Sequence, residues 1–387
     1  MTAGFFKATA TDYGEHQAAM TAYLEEGTQR ALAMNNRGPI RYTDDGLLHP
    51  EILQAYSEHG FYVFTGVLSA GELAEIEADV KDMWDRAPVA KGATLDRHGR
   101  PALAGDCKAR VLSWVKPLSD PLGGTSISNG RHPAKMIEPA APEDAPAHVL
   151  QLVLGSLQFS DACLRVYGHP DLLRVAAAVN GEDFVPFNEA IWVKHPYLGG
   201  SVAWHQDGWV HWNDPALDEH THGFNFMAQL YGSDAANGLW VVPGSHRRGK
   251  VDIAAMVEAA GSDRLPDAVP MICAPGDVGM CSRQAVHGSF ANTSPNMRVT
   301  INFGFHRRAS VLNVESGGVH NEVSVYTAER IHERAAMIAY GINARKAHFP
   351  DEAPFAYAPF AGEQDQYIWS DDARLKAKDY NLLDLGI

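Results

Sequence analysis

"RVTINFGFH", Arg298 to His306, is the most regular alternation in the chain. Successive side chains of a strand point to opposite faces. Val299, Ile301, Phe303 and Phe305 therefore share one face, and Arg298, Thr300, Asn302 and Gly304 the other. Such a strand lies at a surface, or in a jelly roll turns its polar face to a central cavity; alternation alone leaves both open. Around it, residues 184–306 carry short apolar or alternating runs separated by turn residues: "AIWVKHP", "FNFMAQLY", "LWVVPG" and "VPMICAPGD". That spacing predicts an antiparallel sandwich or barrel.

Upstream the pattern is helical. Residues 1–49 are mixed and polar, with an early helix in "EHQAAMTAYLEEGTQRALAMN". The run "PEILQAYSEHGFYVFTGVLSAGELAEIEADVKDMWDRA" predicts a helix, a strand at Phe61–Thr65 and a second helix. That second helix opens near Ser69, where Glu72 three residues on fits a capping box. Residues 87–147, rich in Gly, Pro and Ala, predict loops with short elements. A helical segment is expected over about 148–179 and a helix near Thr327–Lys346, followed by an aromatic tail.

At 387 residues the chain can bury a large core. A formal charge of −15 argues against a surface built for nucleic acid or anionic membrane. The start, "MTAGFFKATATDYGEHQ", has no sustained apolar region, and no apolar run is long enough to span a bilayer. Cys107, Cys163, Cys273 and Cys281 are widely spaced and form no C-x-x-C pair, so reduced thiols in a cytoplasmic protein are expected.

The chemistry concentrates in "VAWHQDGWVHW", Val202 to Trp212. With 18 histidines in the chain, one His-x-Asp arises by chance, and His169-Pro170-Asp171 is such a decoy. There Pro170 suits the first helical position and Asp171 the positive end of the helix dipole. His205 instead follows "AIWVKHPYLGGSVAW", an extended, aromatic and β-branched segment, so His205 and Asp207 address one side of a strand. His287 lies 80 residues after Asp207, with Ser289 two and Arg298 eleven residues further on. Two histidines and a carboxylate make a facial ligand set that leaves three adjacent positions open and suits Fe(II). Those positions fit a bidentate 2-oxo acid and O2. A dicarboxylate co-substrate needs a cation at its far end, and the planar fork of arginine matches it. The Ser289 hydroxyl offers a second hydrogen bond.

With these residues assembled, the chain resembles the phytanoyl-CoA dioxygenase family of Fe(II)/2-oxoglutarate-dependent oxygenases. The matching stretches are "HGFYVFTGVLSAGEL", "WHQDGW", "NGLWVVPGSHRRG" and "HGSFANTSPNMR", within about residues 50–310. The resemblance implies an α+β chain with a mainly β core, a double-stranded β-helix of cupin-like jelly-roll type flanked by helices. It implies Fe(II) held by His205, Asp207 and His287, and the distal carboxylate of 2-oxoglutarate bound by Arg298 with Ser289. Lys194 and Trp240 fall where the family lines its cofactor pocket. Related halogenases lack the metal-binding aspartate; Asp207 is present, so oxygenation is expected. O2 and 2-oxoglutarate would be consumed with release of succinate and CO2. Hydroxylation of an unactivated C–H is the default, with desaturation, epoxidation or cyclisation open to the same ligands. Residues 1–49 are then an N-terminal extension packing on the core, 50–310 the catalytic domain and 311–387 a C-terminal helical extension.

Two rival classes remain: a cupin-like metalloenzyme that uses no 2-oxo acid, and a metal-binding protein without catalysis. Arg298 argues against the first and the intact triad against the second. The expected partner is a small molecule, apolar or aromatic, and a homo-oligomer is left open. Trp209, His211 and Trp212, directly after the ligand pair, are candidates for a substrate wall or for packing at the barrel mouth. "YLGGS" before it reads as a mobile active-site loop. His246 in "PGSHRRG" suits a loop-shaping role, and His220 and His222 a solvated loop. Arg247, Arg248 and Lys250, with Arg307 and Arg308, form a solvated turn or meet an anionic substrate such as a CoA thioester.

Overall fold

The structure is a computed structural model that describes residues 8–207, 221–316 and 322–385. Its β framework comprises β1 (Arg37–Gly38), β2 (Phe61–Phe64), β3 (Leu112–Val115), β4 (Val149–Leu154), β5 (Val185–Lys194) and β6 (Val202–His205). It continues with β7 (Gly223–Gln229), β8 (Trp240–Val241), β9 (Val269–Pro270), β10 (Val278–Ser282), β11 (His287–Ser289) and β12 (Arg298–His306). Eight strands form one sheet in the order β1-β2-β10-β7-β12-β5-β4-β3, and four form a second in the order β6-β11-β8-β9. Apart from the short β1–β2 pair, all neighbours in these two sheets are antiparallel. This is the double-stranded β-helix, a jelly roll flanked by helices.

The two faces of β12 have different neighbours, and both are covered. Val299, Ile301, Phe303 and Phe305 enter the main core beneath the helices. Arg298, Thr300 and Asn302 turn into a cavity inside the jelly roll. The polar face is thus an internal wall rather than a surface. Strand β7 repeats the arrangement: Phe224, Phe226 and Ala228 pack in the core, whereas Asn225 and Met227 line the cavity.

Helix α1 (Gln17–Leu32) lies against the small sheet, where Tyr23 stacks on Trp240 at 4.5 Å between ring centroids. Gly27 makes that approach possible: a Cβ there would meet the Trp240 ring at 2.3 Å. Helices α2 (Pro50–His59) and α3 (Ala70–Arg86) flank β2, and Ser69 and Glu72 form the reciprocal capping box on α3. Helices α4 (Asp161–Tyr167), α5 (Pro170–Asn180), α6 (Ile253–Ala260), α7 (Ala328–His348) and α8 (Asp371–Ala377) complete the set of longer helices among the described residues. Glu72 also pairs with Arg345 of α7 at 2.8 Å, joining both flanks of the core. His169 caps α5, its ring accepting the Asp171 amide, so that His-x-Asp is a helix start.

The helical expectation over 148–179 fails in its first part. "VLQLVL" is strand β4, buried along its whole length, and the chain turns at Gly155 in a left-handed conformation before α4. A six-residue apolar run buried on both faces has no periodicity to tell strand from helix. "YLGGS" is not a free loop. A Cβ on Gly200 would lie 2.2 Å from the Ser119 carbonyl oxygen, and Gly199 bridges to Asn292. These glycines permit close backbone approach beside the ligand strand. All four cysteines are free thiols, and among the described residues no helix is long and apolar enough to cross a membrane.

Candidate metal centre and its cavity

Strands β6 and β11 pair so that His205 and His287 stand directly opposite each other. Their ring centroids lie 4.1 Å apart. Asp207 follows two residues after His205, its amide donating to the Arg283 carbonyl at 2.8 Å, which swings the carboxylate toward both rings. Its oxygens are 3.5 Å from His205 Nε2 and 4.0 Å from His287 Nε2. One donor atom from each residue can be chosen so that all lie within 4.8 Å of one another. Donors about 2.1 Å from a shared ion lie within about 4.2 Å of each other, so only a small closing movement is needed to seat one.

The protonation states also suit a cation. Nδ1 of His205 donates to the Ala203 carbonyl at 2.8 Å, and Nδ1 of His287 to Ala285 at 2.9 Å. Each bond holds the proton on Nδ1 and leaves an Nε2 lone pair facing the centre. Burial above all pulls His287 down to about 4, which keeps it neutral. Burial works against ionisation of Asp207, but the neighbouring groups, Arg283 foremost, outweigh it and hold the carboxyl well below its usual range. Asn225 Nδ2 donates to Asp207 Oδ2 at 3.1 Å and fixes its rotation. Gln206, between the ligands, points away and ties Gly249, Val251 and Gln284 together. The Asp120 carboxylate accepts the Ala203 amide at 2.7 Å and anchors β6.

The donors open into a cavity of about 150 Å³. Ser289, Arg298, Thr300 and Asn302 share it with the triad, and Leu152, Leu154, Trp192 and Met227 supply apolar wall. Arg298 is buried, its Nη1 donating to the Asn237 carbonyl at 2.8 Å while Nε has no hydrogen-bond partner. Burial lowers its pKa to about 10, which leaves it charged at neutral pH. The structure therefore brings His205, Asp207, His287, Ser289 and Arg298 to one chamber.

Two expected cofactor-pocket residues lie elsewhere. Trp240 faces α1, its indole donating to the Ala235 carbonyl at 2.9 Å; Leu239, pointing the other way along the strand, lines the cavity instead. Lys194 sits opposite Arg298 across β5–β12, but its ammonium donates to the Phe290 carbonyl beyond the cavity wall. Trp209, His211 and Trp212 fall outside the described residues. His222 is buried rather than solvated, with Nδ1 2.5 Å from Ser310 Oγ; His220 is again outside the described residues. His246 holds its loop to α2 through the Ser57 carbonyl at 3.0 Å. Arg247 and Arg307 both line a separate cleft with Tyr56 and Gln284.

Sequence reasoning missed several neighbours of the centre. His132 stacks on His205, centroids 4.2 Å apart, and Arg131 and Leu122 line the cavity beside it. Leu385 closes the wall from the C-terminal segment. Asn225 carried a legible signal in the alternation of "FNFMAQ"; the others had none.

A facial histidine–aspartate–histidine set inside a double-stranded β-helix defines an Fe(II)/2-oxoglutarate-type oxygenase scaffold. The model of the phytanoyl-CoA dioxygenase (PhyH) family matches residues 56–300, and the chain belongs to that family. No curated protein matches it. Among solved structures, EctD from S. alaskensis, determined with 2-oxoglutarate and 5-hydroxyectoine, is 19% identical over 70% of this chain and 81% of its own, with a TM-score of 0.47. AviO1 from Streptomyces viridochromogenes Tue57 is 21% identical over 67% of this chain and 94% of its own, at 0.44. EvdMO1 is 23% identical over 65% of this chain, which spans only 48% of that protein, also at 0.44. Likenesses at this level define no shared substrate.

Proposed function

We propose that the protein is an Fe(II)- and 2-oxoglutarate-dependent dioxygenase that hydroxylates an unactivated C–H bond of a small organic molecule. In this reading His205, Asp207 and His287 hold the iron, and Arg298, with Ser289, receives the distal carboxylate of 2-oxoglutarate. Residues 50–310 form the catalytic unit, with the two terminal extensions packed on it. The observation that carries the reading is one cavity holding both the triad and a buried guanidinium with an unpaired Nε. Bound iron with 2-oxoglutarate would supply the oxidising power, using O2 and releasing succinate and CO2.

The chain's own residues do the positioning. The Ala203 and Ala285 carbonyls keep both imidazoles in the ligand tautomer, and Asn225 holds the carboxylate. Arg298 is fixed by Asn237 before any ligand arrives, so little ordering entropy is lost on binding. Leu152, Leu154 and Trp192 keep water from the place where a C–H bond would react. The test is anaerobic titration of 2-oxoglutarate into Fe(II)-loaded protein. Arg298→Gln removes a charge-assisted fork worth about 2–3 kcal/mol, so affinity should fall roughly 30- to 150-fold. Unchanged affinity would overturn the assignment.

A further inference from the structure

Arg131 is a second buried guanidinium in the same cavity, 8% exposed. Its Nε and Nη1 have no hydrogen-bond partner, and among the described residues no carboxylate forms an ion pair with it. A buried charge without a partner costs several kcal/mol, so such a group is expected to be completed by a ligand. The backbone is also bent to place it. Ser128, Asn129 and Gly130 stand in succession at φ 57°, 56° and 72°, and the first two are not glycine. Left-handed non-glycine residues are strained and collect at functional sites. Gly124 then clamps the other side, donating to the His132 carbonyl at 2.8 Å.

Charge bookkeeping separates this group from Arg298. Arg298 has Lys194 and Cys273 as electrostatic neighbours; Arg131 faces the positive Arg283 and, among the described residues, Asp207 as its only opposing charge. Asp207 already faces Arg283 and two imidazoles. On the reading proposed above, a dication at the triad is neutralised by Asp207 and one carboxylate of 2-oxoglutarate, and Arg298 takes the other. Arg131 and Arg283 are then both left uncompensated; Arg283 packs over the Phe187 ring outside the cavity lining, and Arg131 is the one that lines the cavity. Leu122, Leu152, Leu154 and Leu385 provide apolar surface in the same chamber.

From these observations we infer that Arg131 receives a carboxylate on the primary substrate, which is an apolar organic acid. The inference rests on Arg298 being the 2-oxoglutarate residue, and the experiment separates the two. Protein loaded with Mn(II) and saturated with N-oxalylglycine is titrated calorimetrically with hexanoate, octanoate and 3-phenylpropanoate, and with the matching primary amides. At least one acid should bind, with its amide at least tenfold weaker. Arg131→Gln should weaken that acid at least tenfold while leaving N-oxalylglycine affinity unchanged, and Arg131→Lys should restore part of the loss. Because Arg131→Gln removes an unpaired buried charge, its Tm should equal or exceed that of the wild type. The inference is overturned if no acid binds, if acid and amide bind alike, or if Arg131→Gln lowers the Tm by several degrees. Loss of N-oxalylglycine in Arg131→Gln would overturn it too, by assigning Arg131 to the co-substrate. Retained N-oxalylglycine affinity in Arg298→Gln would instead remove the parent reading, and acid binding to protein holding Mn(II) alone would still decide the role of Arg131.

Discussion

The donors and the surrounding walls of the cavity are made of different material. Of the metal donors, His205 and His287 are cross-strand neighbours, while Asp207, expected on the same strand as His205, stands two residues beyond the end of β6; Arg298 opens the most central alternation of the large sheet. The walls around them include chain without repeating structure: Leu122, Arg131 and His132 from the 116–135 stretch, with His132 stacked on His205, and Leu385 from the tail. Strand positions are over-determined by ladder hydrogen bonds and tolerate little change. Irregular walls are less constrained by backbone pairing, although His132 still packs on a ligand. The contrast teaches that the metal donors and the rest of the cavity lining are held by different kinds of structure.

Four measurements would break or sharpen that division. The largest effect is expected at the metal donors. Asp207→Ala removes one of three donors, and Fe(II) affinity should fall on the order of 1,000-fold, or about 4 kcal/mol. Equal iron loading in both proteins would show that these donors are not the metal site.

In the tail that supplies Leu385, stability should respond more than binding. Arg334 of α7 is fully buried, makes a side-chain ion pair with Asp384 and donates to the Phe187 carbonyl at 3.0 Å. Asp384→Asn leaves that guanidinium without its charge partner and should cost about 3–5 kcal/mol in denaturant unfolding. Because Asp384 adjoins Leu385, the loss should loosen the tail while Fe(II) affinity stays within a few-fold. A proportionate loss of iron would dissolve the distinction between donors and walls.

Next comes a pH effect. Glu189 of β5 accepts hydrogen bonds from Ser156 and from Tyr380 of the tail. Burial pushes its pKa up to about 7, against the opposing pull of those hydroxyls and of Arg334. Between about 4.5 and about 7 the folded protein therefore holds a proton that the unfolded chain has released. Stability relative to Glu189→Gln should fall as pH rises through that window, by on the order of 3 kcal/mol, and level off above it. A Tm difference that stays flat from pH 4.5 to 8 would refute this.

The smallest effect is again at the metal donors. Asn225→Ala frees the Asp207 carboxylate to rotate, and Fe(II) affinity should drop about 10- to 100-fold. A loss as large as that from Asp207→Ala would mean that Asn225 supports more than the rotation of one carboxylate.

The sequence was readable where a period or a spacing carried it. Both faces of β12 follow from alternation, and only the tertiary structure decides that the polar one is internal. His287 was found by its relation to Ser289 and Arg298 rather than by its own surroundings. The resemblance places Trp240 at the cofactor pocket, but Leu239 stands there, because the two neighbours point to opposite sides of the strand. The strand at Val149–Leu154 was hidden by uniform burial. "SNGRHP" has no periodicity, and only folded coordinates bring Arg131 and His132 beside a strand more than 70 residues further along. Leu385, one of three leucines in "YNLLDLGI", carries no mark that sets it apart from the others.

The placement of Leu385 bears on how the protein is handled. A peptide fused to this terminus is joined two residues after a side chain of the cavity wall. An oligohistidine label there would bring six extra imidazoles to the doorstep of the iron donors and falsify stoichiometry by scavenging metal. Labels belong upstream of Thr9, which is exposed and donates to the Asp144 carboxylate.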